Sequence, residues 1–209
     1  MAGTAIFRPV SWRTGEILQT IIETRRVRSL IIAVPSWERH GPGQYLDVRL
    51  TTEDGRQMTR SYSIASAPED DYLQITIARL PGSQASRYLT DRLQAGDRLE
   101  VRGPNGGHFI WEHQMGGPLM LIAGGSGIAP LMAMIRHRLG SGSPVPIRLL
   151  YSSRSVDDII YREELDQLAA ESDVLEVIHT SRAHRPPDGK AIPGESTPTC
   201  LKRWSVPLN

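Results

Sequence analysis

Cysteine is nearly absent from this chain: Cys200 is the single one among 209 residues. One thiol builds no internal disulfide framework and cannot ligate a four-thiolate iron–sulfur cluster. No apolar run approaches the roughly 20 residues that a membrane-spanning helix needs. The first residues hold no apolar stretch of a secretory signal, so a cytoplasmic protein without membrane contact is expected. Charge of one sign is not in excess. The formal net charge of +1 favours neither nucleic acid nor an anionic membrane as partner. No internal repeat is visible, no metal site is expected, and no Gly-Lys-Ser/Thr ending marks a triphosphate-binding loop.

What is present belongs to an ordinary globular protein, with 22% charged and 39% hydrophobic residues. The length allows one large domain or two small ones. The first half reads as short strands. GEILQTIIETRRVRSLIIAV holds two β-rich runs around a charged TRR break. GQYLDVRLT alternates, and DYLQITIARL and DRLEVRG repeat the theme between turn-forming segments. This spacing suggests a small antiparallel barrel. One helix, SQASRYLTDRL, interrupts it, with Leu89 and Leu93 on one face. After Gly117 the period changes. PLMLIAG reads as a strand buried on both faces, APLMAMIRHRLG as a helix, IRLLYSS as a strand, DDIIYREELDQLAAE as a helix starting at Asp157 and Asp158, and VLEVIHTS as a third strand. That alternation is the pattern of a parallel sheet with helical crossovers. The expected division is a barrel domain over 1–114, an α/β domain over 115–182 and an irregular tail over 183–209, which carries five prolines and no periodicity.

Two stretches carry chemistry. Gly124, Gly125 and Gly127 lie between a strand and a helix, where the chain turns sharply and a ligand can approach its backbone. The helix start offers free N–H groups to a pyrophosphate, and Pro130 suits the first turn. The alternative is a tight turn without ligand. Ser153 and Arg154 follow the next strand, at the carboxyl end where open parallel sheets bind ligands; an arginine there meets a 2′-phosphate or simply solvent. Tyr161 reads equally as an adenosine cover or as packing. In the barrel half, TRSYSIAS puts Arg60 and Tyr62 on one strand face, with Ser63 at its end. Such a face suits a flat ring with a phosphate tail: tyrosine stacks, arginine neutralises, serine offers a small polar group. Taken alone, it equally suits a plain surface strand.

RSYS, ITIARLPGSQAS, GPNGGHF and AGGSGIAP, in this order over about residues 15 to 180, together resemble the ferredoxin–NADP⁺ reductase superfamily, and PGQYLDV matches its third strand. The resemblance implies a six-stranded antiparallel flavin barrel followed by a parallel nicotinamide domain. It implies that Arg60 binds a flavin phosphate, that Tyr62 stacks on the isoalloxazine and that Ser63 sits at flavin N5, with Ser61 between them. It further implies that Ile77, Ala78 and Arg79 line the cofactor. Gly82, Ser83, Gln84, Ala85 and Ser86 form a phosphate loop and helix start. Gly124, Gly125, Ser126, Gly127, Ile128, Ala129 and Pro130 hold the nicotinamide cofactor's pyrophosphate, and Ser153 and Arg154 match positions that often contact a 2′-phosphate. FAD is expected rather than FMN, with NADPH or NADH as hydride donor. Tyr62 and Ser63 flank the reacting ring, and a separate ferredoxin-like protein or other acceptor receives the electrons. Gly103, Pro104 and Gly106 match a structural turn.

The resemblance stops after the third parallel strand. Family members continue into a further strand ending in Cys-Gly-Pro; here Cys200 stands in PTCLKRW. A truncated α/β domain is therefore expected, with LMLIA as a bare apolar edge. A partner's strand or a covering tail are the other readings. A non-catalytic flavin- or nucleotide-binding regulatory module, or an inactive truncated reductase, is the alternative function.

Overall fold

The computed structural model describes residues 11–51, 55 and 57–181; the expected irregular tail lies outside the described residues. The first six strands are β1 (Arg13–Thr24), β2 (Val27–Ala33), β3 (Tyr45–Thr51), β4 (Gln57–Ser63), β5 (Leu73–Ala78) and β6 (Arg98–Asn105). They form one antiparallel sheet in the order β4-β3-β6-β1-β2-β5. β-branched and leucine side chains at alternate positions turn inward. Ile17, Leu30, Ile32, Leu46, Val48, Ile75, Ile77 and Val101 are sealed from solvent. Each such side chain contributes about 1.5–3 kcal/mol by burial. Helix α1 (Gln84–Asp91) closes one mouth through Ala85 and Leu89, with Leu93 just beyond it. The outer strands β4 and β5 meet in a single bridge, Ile64–Ile75.

The second half builds β7 (Leu119–Gly124), α2 (Ala129–Gly140), β8 (Ile147–Ser153), α3 (Arg162–Glu171) and β9 (Leu175–Ser181), with a parallel sheet ordered β7-β8-β9. Two sequence expectations change. β7 is buried on one face only: Leu121 and Ala123 pack inward, while Met120 and Ile122 are 48% and 66% exposed. Among the described residues β7 is also an edge, as expected. The helix expected from Asp157 starts later. Val156–Asp158 is a 3₁₀ turn, Ile159 and Ile160 dive into the core, and Glu163 and Glu164 occupy the first turn of α3. Apolar burial wins there over a continuous helix. No helix among the described residues is long and apolar enough to cross a membrane.

The halves share a core: Val27 and Ala65 of the barrel half pack in the same cluster as Ile135, Tyr151 and Tyr161. Arg136 of α2 reaches across. Its Nη1 donates to Ala65 O at 2.7 Å and Gln74 Oε1 at 2.8 Å, and its Nε and Nη2 fork onto Glu164 at 2.7 and 2.6 Å. Tyr161 is 4% exposed and sits in the left-handed region at φ 59°. Its N–H donates to Glu23 Oε2 at 3.1 Å and its hydroxyl bonds Thr76. The tyrosine is thus packing, not an adenosine cover.

Arg136→Ala leaves Ala65 O, Gln74 and Glu164 without their donors at a half-buried junction. It is expected to lower unfolding stability by about 2–3 kcal/mol in urea titrations. Burial pushes the His40 imidazole below its ordinary value, since desolvation opposes its charged form and only the Ser66 carbonyl contact and nearby acids counter it. A lowered value in the fold means stability that is complete above about pH 6.5 and lost as pH falls through the folded value. His40→Gln should therefore lose less stability than the parent on acidification below that point, read in the same titrations.

Candidate functional site

β4 pairs with β3 so that Tyr62 stands opposite Leu46, Arg60 opposite Val48 and Met58 opposite Leu50. Cross-strand partners share a face, and those three β3 residues are core. Arg60 and Tyr62 therefore stand on the inward side of the sheet, where apolar residues belong. The arrangement is possible because β4 and β5 part after the Ile64–Ile75 bridge: extending that register sets Tyr62 towards Ile77 and Arg60 towards Arg79, but no ladder forms. Tyr62 packs partly on the barrel core, and burial raises its phenol above the ordinary value, with Arg60 pulling the other way. Arg60 is exposed and donates Nη1 to Thr59 O at 2.8 Å. Alternation turns Ser61 and Ser63 to the opposite face. There the Ser61 hydroxyl donates to Asp47 at 2.7 Å, in a knot that also takes Arg102 and Asn105. The face fits a flat aromatic group carrying an anionic tail: an aromatic plate and a cation replace core residues at an open seam.

Further along β5, Ile77 is buried in the barrel core, Ala78 is half-buried and Arg79 is exposed. A groove of about 460 Å³ lies beyond, lined by Arg25, Arg26, Arg79, Leu80, Pro81, Gly82, Ser83, Gln84 and Arg87. Gly82, at φ 76°, makes the turn that only glycine adopts freely. Ser83 caps α1, its hydroxyl accepting from Ser86 N at 3.3 Å. Ala85 is core, and the buried Ser86 hydroxyl accepts from Leu80 N at 3.0 Å, fixing the loop. The N–H groups of Gln84 and Ala85 have no partner within the helix. Four arginines face one carboxylate: Asp91 takes Arg79 at 3.3 Å and Arg87 at 3.8 Å. The surplus of positive charge beside a helix start suits a phosphate. Arg25, Arg26 and Arg87 were missed by the sequence reading. Arg25 and Arg26 form the hairpin turn between β1 and β2, and Arg79 N donates to Arg26 O at 2.8 Å. The TRR run read only as a strand break.

A second cleft, of about 550 Å³, shares Arg26, Arg79, Leu80 and Pro81 with the first and continues to Gly125, Ser126, Ser152, Ser153, Arg154 and Asp158. It spans the two sheets. After β7 the chain passes through a 3₁₀ turn, Gly125–Ile128, into α2, with Pro130 in the first turn and Ile128 and Ala129 buried. Gly125 needs its φ of 52°. A Cβ on Gly124 or Gly127 would meet no atom of the described residues within 4 Å, so the loop presents bare backbone on that side. Tyr151 holds it from behind: its hydroxyl donates to Gly125 O at 3.0 Å and accepts from Ile160 N at 3.2 Å. Burial pushes that phenol up to about 12, so it remains a donor at neutral pH. Ser153 is buried, donating to Ser155 O at 2.7 Å, whereas Arg154 is exposed beside Asp158 at 3.8 Å. Backbone N–H groups, a helix start and arginines on both banks suit an extended diphosphate.

Comparison with known proteins agrees with this geometry. Residues 19–111 match the oxidoreductase FAD-binding domain family and residues 121–193 the oxidoreductase NAD-binding domain family. The chain is 34% identical over 176 residues to the ferredoxin reductase component of 3-ketosteroid-9-alpha-monooxygenase from Mycobacterium tuberculosis, covering 78% of this chain and 48% of that protein. It is 29% identical to the ferredoxin–NAD(P)⁺ reductase component of the naphthalene 1,2-dioxygenase system from Pseudomonas putida, covering 88% and 55%. The chain thus spans about half the length of the curated relatives it matches. A ferredoxin NADP⁺ reductase from Neisseria gonorrhoeae, solved with FAD and NADP, shares the fold at a TM-score of 0.72 and 21% identity, covering 93% of this chain and 77% of that one. An FAD-binding barrel followed by an NAD-binding α/β unit, in this order and topology, makes the chain a member of the ferredoxin–NADP⁺ reductase superfamily.

Proposed function

We propose that the chain is the flavin- and nicotinamide-binding part of an FAD-dependent NAD(P)H oxidoreductase that hands electrons to a separate ferredoxin-like or other acceptor protein. The observation that carries this reading is the pair of adjoining clefts with a common wall at Arg26, Arg79, Leu80 and Pro81. One is the arginine groove beside α1, whose Arg79 the continued β4–β5 register sets towards Arg60. The other runs over the glycine loop. Two dinucleotides laid in them would approach each other at the shared wall. A cytoplasmic setting suits a chain with a single cysteine.

Bound FAD supplies hydride acceptance from a dihydronicotinamide and onward release of the electrons. The protein's part is positioning and charge. Tyr62 offers its ring as a stacking plate. Arg60 offers a fork of donors to the phosphate tail. Arg25, Arg26, Arg79 and the start of α1 neutralise the remaining diphosphate charge. Ser63, at the end of β4, offers its backbone to the reacting ring, since alternation turns its hydroxyl to the other face. The bare Gly124–Gly127 backbone and the start of α2 bind the nicotinamide cofactor's pyrophosphate. Ser153 and Arg154 flank its adenosine end. The Tyr151 hydroxyl keeps the Gly125 carbonyl turned away from the anion. Relatives of the chain are reductase components of oxygenase systems, which supports this reading.

Purified protein should be yellow or bind added FAD. Arg60→Ala should weaken FAD binding about 10- to 100-fold, the size of a lost charged hydrogen bond, read by the recovery of FAD fluorescence on dilution. A protein that takes up neither FAD nor FMN overturns the reading. Gly127→Val separates ligand from fold. A Cβ at this position meets no atom of the described residues within 4 Å, so the unfolding midpoint should stay near the parent value. The KM for NADH or NADPH in ferricyanide reduction should rise at least about 10-fold, because a branched side chain displaces the pyrophosphate from the loop. Unchanged kinetics in this variant would remove the glycine loop from the site.

A further inference from the structure

Behind the two clefts, at the far end of α2, three side chains from three segments converge. His137, near the C-terminal end of α2, is 7% exposed and places Nδ1 2.8 Å from Glu69 Oε1, in the loop between β4 and β5. His113 stands in the 3₁₀ turn His113–Met115 of the segment linking barrel and α/β unit. The two imidazole centres are 5.6 Å apart, tilted by 46°. Trp111 presents an edge to His137 at 6.2 Å and is held by its own bond to Gly116 O at 3.1 Å.

The contacts leave two nitrogens unexplained. His137 Nε2 and His113 Nδ1 are both buried and have no hydrogen-bond partner among the described residues. A buried, unpaired polar atom costs about 1–3 kcal/mol, and two on neighbouring rings need a common cause. Glu69 supplies a clue. A carboxylate on Nδ1 holds the proton there and turns the Nε2 lone pair outward, the arrangement by which an outer carboxylate orients a metal-binding imidazole. Two imidazoles sharing one tetrahedral zinc, at about 2.0–2.1 Å per bond, have ring centres about 5–6 Å apart. No group of three or more His, Cys, Asp or Glu among the described residues could enclose an ion. The remaining positions would belong to solvent.

We propose that His113 and His137 form a two-imidazole site for a borderline divalent cation of the zinc type, oriented by Glu69 and completed by water. Such an ion pins the linker segment to α2 while Glu69 ties α2 to the barrel, so its role is to brace the junction rather than to join the redox chemistry. His137 lies eight residues beyond the N-terminal end of α2, about 12 Å along the helix from the glycine loop.

The test is zinc titration of the tag-free full chain by isothermal calorimetry, with thermal melts alongside. The expected result is one zinc per chain and a melting temperature that climbs with zinc concentration. His113→Asn and His137→Gln should each abolish the stoichiometric binding. Glu69→Gln should weaken it about 10- to 100-fold. His108→Asn, at an exposed position, should bind as the parent does. Should His137→Gln fail to fold, the half-exposed His113 and the exposed Glu69 still decide. A parent protein that takes up no stoichiometric zinc overturns the proposal, as does a His113→Asn variant that binds unchanged.

Discussion

The buried hydroxyl of Tyr161 is the contact on which the relation between the two halves depends. Its ring is 4% exposed, its hydroxyl bonds Thr76 of β5, and its N–H bonds Glu23 of β1. Ser29 of β2 links the same group, donating to Glu23 at 2.6 Å and meeting Thr76 at 2.7 Å. One residue of the α/β half thus bonds two barrel strands directly and reaches a third through Ser29. The residue holds a left-handed backbone at φ 59°, which costs a non-glycine residue roughly 1–2 kcal/mol. The hydrogen bonds and apolar burial offset that cost only with the domains docked. Burial also pushes the Glu23 carboxyl above its ordinary value, while the Ser29 and Tyr161 donors oppose that shift. A polar network so fully partnered fixes one docking geometry better than an apolar patch, which tolerates sliding.

That geometry brings the clefts together. The 3₁₀ turn and the dip of Ile159 and Ile160 lead directly into Tyr161, and Ile160 N is one of the two partners of the Tyr151 hydroxyl that steadies Gly125. The chain segment that docks the domains therefore also sets the back of the glycine loop. On the barrel side, Thr24 and Arg26, within three residues of Glu23, line the second cleft. The docking contacts and the cleft lining thus come from neighbouring residues on both banks.

Much of this was legible in the sequence. Period-two alternation marked the barrel strands, because each has one face in the core. The parallel unit was legible from the order of its elements. β7 misled, since an apolar run does not say which of its faces is covered: Leu121 and Ala123 pack, Met120 and Ile122 do not. The start of α3 misled because Asp157 and Asp158 fit a helix start locally, and only the tertiary need to bury Ile159, Ile160 and Tyr161 breaks the helix. At the candidate site, Arg60 and Tyr62 were legible as a pair sharing a face, but which face was not. That it is the inward one follows from pairing with Leu46 and Val48. Arg25, Arg26 and Arg87 were illegible because they meet Arg79 only through the β2–β5 pairing and the packing of α1.

The glycines show how a fold can be separated from its ligand. Some are explained by the protein itself: a Cβ on Gly15 would lie 2.7 Å from Ile32, one on Gly117 2.5 Å from Val145, and one on Gly43 2.0 Å from the Phe109 carbonyl. Others have positive φ. Four described glycines, 107, 124, 127 and 140, have neither excuse. Gly107 lies in the exposed loop after β6 and Gly140 is the last residue of α2. Gly124 and Gly127 remain, one ending a strand and one inside a 3₁₀ turn, where the absence of a side chain does nothing for folding. Glycine in such places weakens the native state by roughly 0.5–1 kcal/mol relative to alanine. Two of them stand three residues apart at the turn into α2, where bare backbone leaves room for a ligand. Against the arginines across the cleft, the chemistry that fits that space is an anion lying flat on the backbone.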